Sequence, residues 1–293
     1  MTTATRVLVG QGALLTFTAY DDGTQTDLGT ITIGITDAAG STVVASGTAV
    51  TDNGDGTYEY SLAKQTDVNL LIATWSVSGG ADFTTYIEIV GSELFNEAQL
   101  RAFDNSALSD ATDFPDADIA ATRDRVTDYI EWATGTSFIR RYCRTVLAGS
   151  GNRNIWLSDG FHVTSGGYPL NRPGAGKDVV RVIAANDGAA VTLADIDVNP
   201  SGQLALTDGV WTKSATSDPW NVAVDYEYGH PYPDGAVDRV AMLIAQQWLT
   251  SNRIPSNAAS FTDPLGSYTF DETRLPFEAY QWIKAHRTPV FFG

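Results

Sequence analysis

The stretch Asp116–Tyr142, DADIAATRDRVTDYIEWATGTSFIRRY, sets the division of this chain. Projected at about 100° per residue, Ile119, Val126, Ile130 and Ala133 fall within about 80° of one another, with Tyr129 beside them, so a helix with one apolar face is predicted. Gly135 supplies the left-handed stop. Beyond it, Phe138–Leu147 has strand character. The opposite helix face carries Asp124, Arg125, Asp128 and Glu131, and Trp132 projects among them. An indole there has two readings: it is covered by neighbouring loops of its own domain, or by another subunit, where aromatic residues act as anchors. Arg140, Arg141 and Arg144, with Arg153 further on, form the basic cluster of an acidic chain. They either pair with the protein's own acids along a strand edge or make a docking patch for an acidic partner subunit.

Upstream of this stretch the pattern is short and alternating. Leu14–Tyr20, Thr30–Thr36, Ser41–Ala45, Tyr58–Leu62, Leu70–Ser78 and Phe83–Val90 read as strands separated by Asp-Gly, Ala-Gly and Gly-Gly turns. Six or seven strands in so short a segment predict an immunoglobulin-like sandwich over residues 1–91. Gly91-Ser92 is the expected hinge, with Ser92 capping a short helix from Glu93 to Arg101. Downstream, extended segments are expected at Asn154–Leu157, Val179–Ala184, Val191–Val198, Gln203–Leu206 and Trp220–Tyr228. A long helix follows over Gly235–Asn252. It is apolar around most of its circumference and so must be covered on two sides, one of them by the Asp116 helix. A short strand at Tyr268–Phe270 and a last helix from Leu275-Pro276 to Arg287 complete the pattern. The apolar tail Thr288-Pro289-Val290-Phe291-Phe292-Gly293 needs either its own core or a neighbour's pocket. The predicted fold is therefore multidomain: an all-β sandwich, then an α+β domain over 92–293. In that second domain residues 92–135 and 234–287 form a helical core, 137–228 a β-rich insertion and 288–293 an extended tail.

A chain of 293 residues, 43% hydrophobic and 18% charged, has a globular composition. It contains no apolar run long enough to span a bilayer and no secretory signature at its start, so a soluble protein made in a cytoplasm is expected, with no membrane partner. The single cysteine, Cys143, excludes an intramolecular disulfide and a Cys-rich zinc site. Net charge is −17, of which −8 falls on residues 1–91, where Arg6 and Lys64 face ten acidic residues. That excess opposes adsorption to nucleic acid or anionic lipid, while leaving room for a surface past which DNA slides without sticking.

Candidate chemistry thins out on inspection. Asp52 and Asp55 sit in DNGDGTY, which lacks the following Asp/Asn-Gly and the distal Glu of a calcium loop, and a hairpin turn is the stronger reading. Ser61-Leu62-Ala63-Lys64 matches the Ser-x-x-Lys of acyl-serine enzymes but ends a predicted strand, and no Lys-Thr-Gly follows. His162, His230 and His286 have no ligand spacing with acids. Neither a catalytic set, nor a cofactor, nor a metal site is expected.

Two resemblances follow from these residues. Asp52–Tyr58, followed by Ala73-Thr74-Trp75-Ser76-Val77, resembles the turn, tyrosine and late core strand of bacterial and phage immunoglobulin-like modules, in which Tyr58 anchors a loop by its hydroxyl. The second covers roughly residues 92–293. The helix ending Tyr129-Ile130-Glu131-Trp132-Ala133-Thr134-Gly135 before Ser137-Phe138 is its first piece. The Gly229–Pro233 turn leading to Val237, Ala241, Ala245, Trp248 and Arg253 is its second, and Leu275-Pro276, Ile283 and Arg287 its third. In this order they resemble the head-tail connector (adaptor, or head completion) proteins of long-tailed bacteriophages. The resemblance implies a virion neck protein assembled in the host cytoplasm as a ring, commonly a dodecamer, under the portal protein. Such a ring extends the channel for genomic DNA without binding it specifically, and docks the next connector or a tail-terminator protein. It also implies that the C-terminal segment, here Pro289, Val290, Phe291 and Phe292, engages the portal. The N-terminal sandwich and the long stretch Tyr142–Tyr228 depart from the common core. The competing class is an immunoglobulin-bearing phage accessory module that binds carbohydrate or a cell surface.

Overall fold

The computed structural model describes residues 5–103, 107–134, 137–157, 179–184, 190–198, 203–213, 220–229, 235–251, 260–263, 266–269 and 275–286. The chain is β-rich with few helices and folds as two compact units, Met1–Ser92 with Ile139–Pro231, and Glu93–Phe138 with Tyr232–Gly293. Among the described residues no helix is long and apolar enough to cross a membrane.

The first unit begins with ten strands: β1 (Thr5–Leu8), β2 (Ala13–Thr18), β3 (Tyr20–Asp21), β4 (Thr24–Gln25), β5 (Ile31–Asp37), β6 (Thr42–Ala49), β7 (Thr51–Asp52), β8 (Thr57–Leu62), β9 (Asn69–Val77) and β10 (Phe83–Val90). They form a five-stranded sheet, β1-β10-β9-β5-β6, a three-stranded sheet, β2-β8-β7, and the β3-β4 ribbon. The two larger sheets share one core, because alternate side chains point to one face of a strand. Ile31, Ile33 and Ile35 of β5, Leu71 and Trp75 of β9, and Phe17 of β2 meet there. Trp75 stacks on Phe17 at 5.5 Å and gives its indole N–H to Thr85 Oγ1 at 3.1 Å. Tyr58 is fully buried in the same core; its hydroxyl donates to Asp27 Oδ1 at 2.8 Å and accepts Leu28 N–H at 2.9 Å. Gly56 just before it has φ +86°, and a Cβ there would lie 2.8 Å from the Thr26 carbonyl oxygen, so this turn requires glycine. β1, which the alternation did not predict, runs parallel to β10, with Arg6 opposite Glu88.

The remainder of this unit is built from β11 (Arg141–Ala148), β12 (Asn154–Trp156), β13 (Val179–Ala184), β14 (Ala190–Val191), β15 (Ile196–Val198), β16 (Gln203–Leu206) and β17 (Trp220–Tyr228). Their orders are β11-β17-β13-β14 and β12-β16-β15, over a core that includes Leu157, Val182, Leu204, Trp211, Val224 and Tyr226. The single strand expected over Val191–Val198 is broken by a 3-10 turn at Leu193–Asp195, where Asp195 N–H reaches back to the Thr192 carbonyl. Cys143 is half-buried against this core.

The second unit holds α1 (Glu97–Ala102), α2 (Asp116–Thr134), α3 (Gly235–Ser251) and α4 (Phe277–His286), with the hairpin β18 (Ser260–Asp263) and β19 (Gly266–Thr269). α1 starts later than its sequence predicts. Asn96, not Ser92, caps it, through a reciprocal box in which Gln99 N–H donates to Asn96 and Asn96 N–H to Gln99, at 2.8 and 2.7 Å. Arg101 then ties α1 to the start of α2, donating to the carbonyls of Leu108 and Phe114 and to the Asp116 carboxylate. α3 packs on both α2 and α4. Ile119, Val126 and Ile130 of α2 are buried, as are Val237, Val240, Ala241 and Ile244 of α3 and Ala279 and Ile283 of α4. Each large aliphatic side chain buried this way contributes roughly 1.5–3 kcal/mol.

Candidate partner-binding surface

α2 is amphipathic with one correction to its polar face. Glu131, placed by periodicity on the solvated side, is buried, and Ser137 just past the helix end donates its hydroxyl to Glu131 Oε1 at 2.7 Å. A hydrogen-bonded carboxylate tolerates burial that a bare one does not. Thr127 and Thr134 are buried likewise, each returning its hydroxyl to the carbonyl four residues back.

Trp132 stays outside, 68% exposed. It forms one end of an aromatic row. Its ring lies 6.1 Å from Tyr129, Tyr129 meets Trp248 of α3 edge-on at 5.7 Å, and the Arg125 guanidinium sits over Trp248 at 5.5 Å. Burial pushes the Tyr129 hydroxyl above its ordinary value. Trp132 therefore has a partly covered aromatic base beneath an open ring.

The three arginines after the helix are turned toward carboxylates of their own compact unit. Arg141 donates two hydrogen bonds to Glu88, at 2.6 and 2.7 Å. Arg144 reaches both oxygens of Asp225, at 2.8 and 3.1 Å, and Tyr142 donates to the same carboxylate at 2.8 Å. Asp225 is only 3% exposed, and burial, then this bond to Asp225, pushes the Tyr142 hydroxyl far up. Arg140 lies 3.5 Å from Glu227, an ion pair without a hydrogen bond. Trp132 is not brought together with these arginines in one compact unit.

Pro289, Val290, Phe291 and Phe292 lie outside the described residues, as do His162 and His230. His286 stacks on Trp282 at 4.0 Å. Asp52 and Asp55 are occupied by their own turn, accepting the N–H groups of Gly54 and Thr57 at 2.8 and 2.9 Å. Ser61 lies on β8, not on a helix. Among the described residues no group of three or more His, Cys, Asp or Glu could hold a metal ion.

A second exposed aromatic face escaped the sequence reading. On α4, Phe277 is 78% and Tyr280 49% exposed. Their three-residue spacing places them together, away from the buried Ala279 and Ile283. The signal was available in the helical projection of that segment. On the sandwich, by contrast, Phe83 and Tyr86 have opposite parity along β10 and so point to opposite faces, making no common aromatic platform.

No protein-family model matches the chain, and no curated protein does. Among solved structures it is similar to a chain from the neck of an empty gene transfer agent (GTA) particle computed with C6 symmetry, with TM-score 0.40 and 16% identity over 61% of this chain and 82% of that one. A chain from the neck of the native GTA particle computed with C12 symmetry gives TM-score 0.40 and 15% identity, over 64% and 91%. One from the virion of the native GTA particle gives 0.39 and 16%, over 67% and 91%. These likenesses stay below the level that establishes a shared fold.

Proposed function

We propose that this chain is a structural, non-enzymatic head-tail connector subunit in the neck of a phage-like particle. In this reading copies close into a ring, a dodecamer, under the portal protein; the ring extends the DNA channel and docks the next connector or tail-terminator protein. The observation that carries the reading is local. The three helices bearing the connector-like motifs, α2, α3 and α4, pack together in one unit, and that unit leaves Trp132 open on a supported aromatic base. A ring built by rotation needs two different surfaces on every copy. The helical unit offers two, Trp132 with Tyr129 on α2 and Phe277 with Tyr280 on α4. The net charge of −17 suits a lumen that repels phosphate and lets the genome pass. The tail, Pro289 to Phe292, is the segment assigned to the portal, and the N-terminal sandwich is an immunoglobulin-like module carried by the ring.

The test is oligomer size. Light scattering of the purified chain is expected to give a ring-sized particle, and Trp132→Ala to shift it to smaller species without altering far-UV circular dichroism. Unchanged particle size in the variant would remove Trp132 from the subunit contact.

A further inference from the structure

The N-terminal sandwich and the β-segment after α2 meet at a buried carboxylate. Glu88 on β10 is 9% exposed and lies between two guanidiniums. Arg6, opposite it on β1, donates to Oε2 at 2.9 Å. Arg141, at the start of β11, donates to Oε1 at 2.6 Å and to Oε2 at 2.7 Å. Both carboxylate oxygens are thus committed, one guanidinium coming from within the sandwich and the other from the later β-segment. The backbone continues the junction: Gly91 N–H donates to the Arg140 carbonyl at 2.8 Å. A Cβ on Gly91 would fall 2.7 Å from Arg140 Cβ, so the approach is as close as glycine permits. Val90 and Ile139 are buried on either side.

We propose that Glu88 is an ionic lock that fixes the N-terminal sandwich to β11, making the sandwich and the later β-segment one rigid unit, so that the sandwich is not a tethered binding appendage. An apolar contact alone tolerates sliding, whereas a carboxylate held bidentate by one planar guanidinium and capped by a second has one geometry. The lock also explains why Arg141 is drawn inward although it belongs to the basic stretch after α2. The inference concerns one compact unit only and stands whether or not the chain forms a ring.

Hydrogen exchange by mass spectrometry on the full chain tests it, comparing wild type with Glu88→Gln. The variant keeps the shape and loses the charge. Protection is expected to fall at least about tenfold in Thr5–Leu8, Ile87–Gly91 and Arg140–Cys143 together, while the centre of the sandwich, Ile33–Ile35 and Ala73–Trp75, keeps its protection. Unchanged exchange across Arg140–Cys143, or an equal loss everywhere, would overturn the lock. Should the variant not fold, Arg6→Gln removes one arm and leaves the bidentate pair; a smaller loss confined to the same three segments is expected, and its absence overturns the proposal equally.

Discussion

Two ion clusters, one in each compact unit, are built with inverted stoichiometry. In the first unit a single carboxylate, Glu88, sits between Arg6 and Arg141. In the second a single guanidinium, Arg123 of α2, faces Glu93 at 2.9 Å and Glu97 and Asp124 at 3.3 Å. Burial pushes both glutamates toward the neutral form. At Glu88 the hydrogen bonds and charges of Arg141 and Arg6 more than reverse it, and the carboxyl ends below its ordinary value. At Glu93 the pull of Arg123 is opposed by Glu97 and Asp124 as well as by burial, and the carboxyl ends above its ordinary value. The same pair of residue types thus makes a lock in one place and a strained cluster in the other. The sign is set by how many charges of each kind share the site.

The sharpest way to break this contrast is to empty the lock. Glu88→Leu leaves two guanidiniums facing an apolar side chain and is expected to cost about 3–5 kcal/mol in urea unfolding. The triple variant Arg6→Met, Glu88→Leu, Arg141→Met removes every charge of the site and should regain most of that loss, because the penalty lies in the uncompensated cations and not in the missing attraction. If the triple variant were as unstable as the single one, the site would be held by shape and not by charge.

Next in size is Arg123→Met. It deprives three carboxylates of their shared cation, but Glu93, Glu97 and Asp124 keep some contact with water. An intermediate cost of about 2 kcal/mol is expected, read from the shift in urea midpoint at constant slope. A cost as large as that of Glu88→Leu would mean that the cluster is as tightly locked as the junction.

This contrast marks what the sequence made legible. The Ile31-Ile33-Ile35 alternation, the Tyr58 turn and the apolar circumference of α3 are local patterns, and each is where its spacing puts it. Ion partners are not local. Arg141 finds Glu88 at a separation of 53 residues and Arg144 finds Asp225 at 81, so no window around the basic stretch reveals that its charges face inward. Glu131 was misplaced for a nearer reason: angular projection ignores Ser137, whose hydroxyl lies beyond the helix stop. β1 escaped because four residues, TRVL, are too few to show a period. Trp132 was legible as an anomaly on its helix, since a large ring among charges is visible by projection alone. Its exposure in the folded chain was the part left open, because whether neighbouring loops cover a ring depends on tertiary packing and not on helical spacing.

The smallest expected effect separates the two clusters by sign. A glutamate whose folded value is lowered stabilises the fold above the ordinary value of 4.5 and loses that contribution as pH falls through the folded value; Glu88 is of this kind. One whose folded value is raised contributes below 4.5 and loses its contribution as pH rises through the folded value, which is the case for Glu93. Glu93→Gln removes the second dependence and leaves the first. At neutral pH it is expected to change stability by less than about 1 kcal/mol, because Arg123 retains Glu97 and Asp124. Between the ordinary value and neutrality, however, the variant should gain on the wild type as pH rises, and below 4.5 the two should converge in slope as Glu88 becomes protonated in both. Urea midpoints of the two proteins measured across that range decide it: a difference that stays flat, or that grows as pH falls, would show that Arg123 dominates Glu93 and that the two clusters are alike after all.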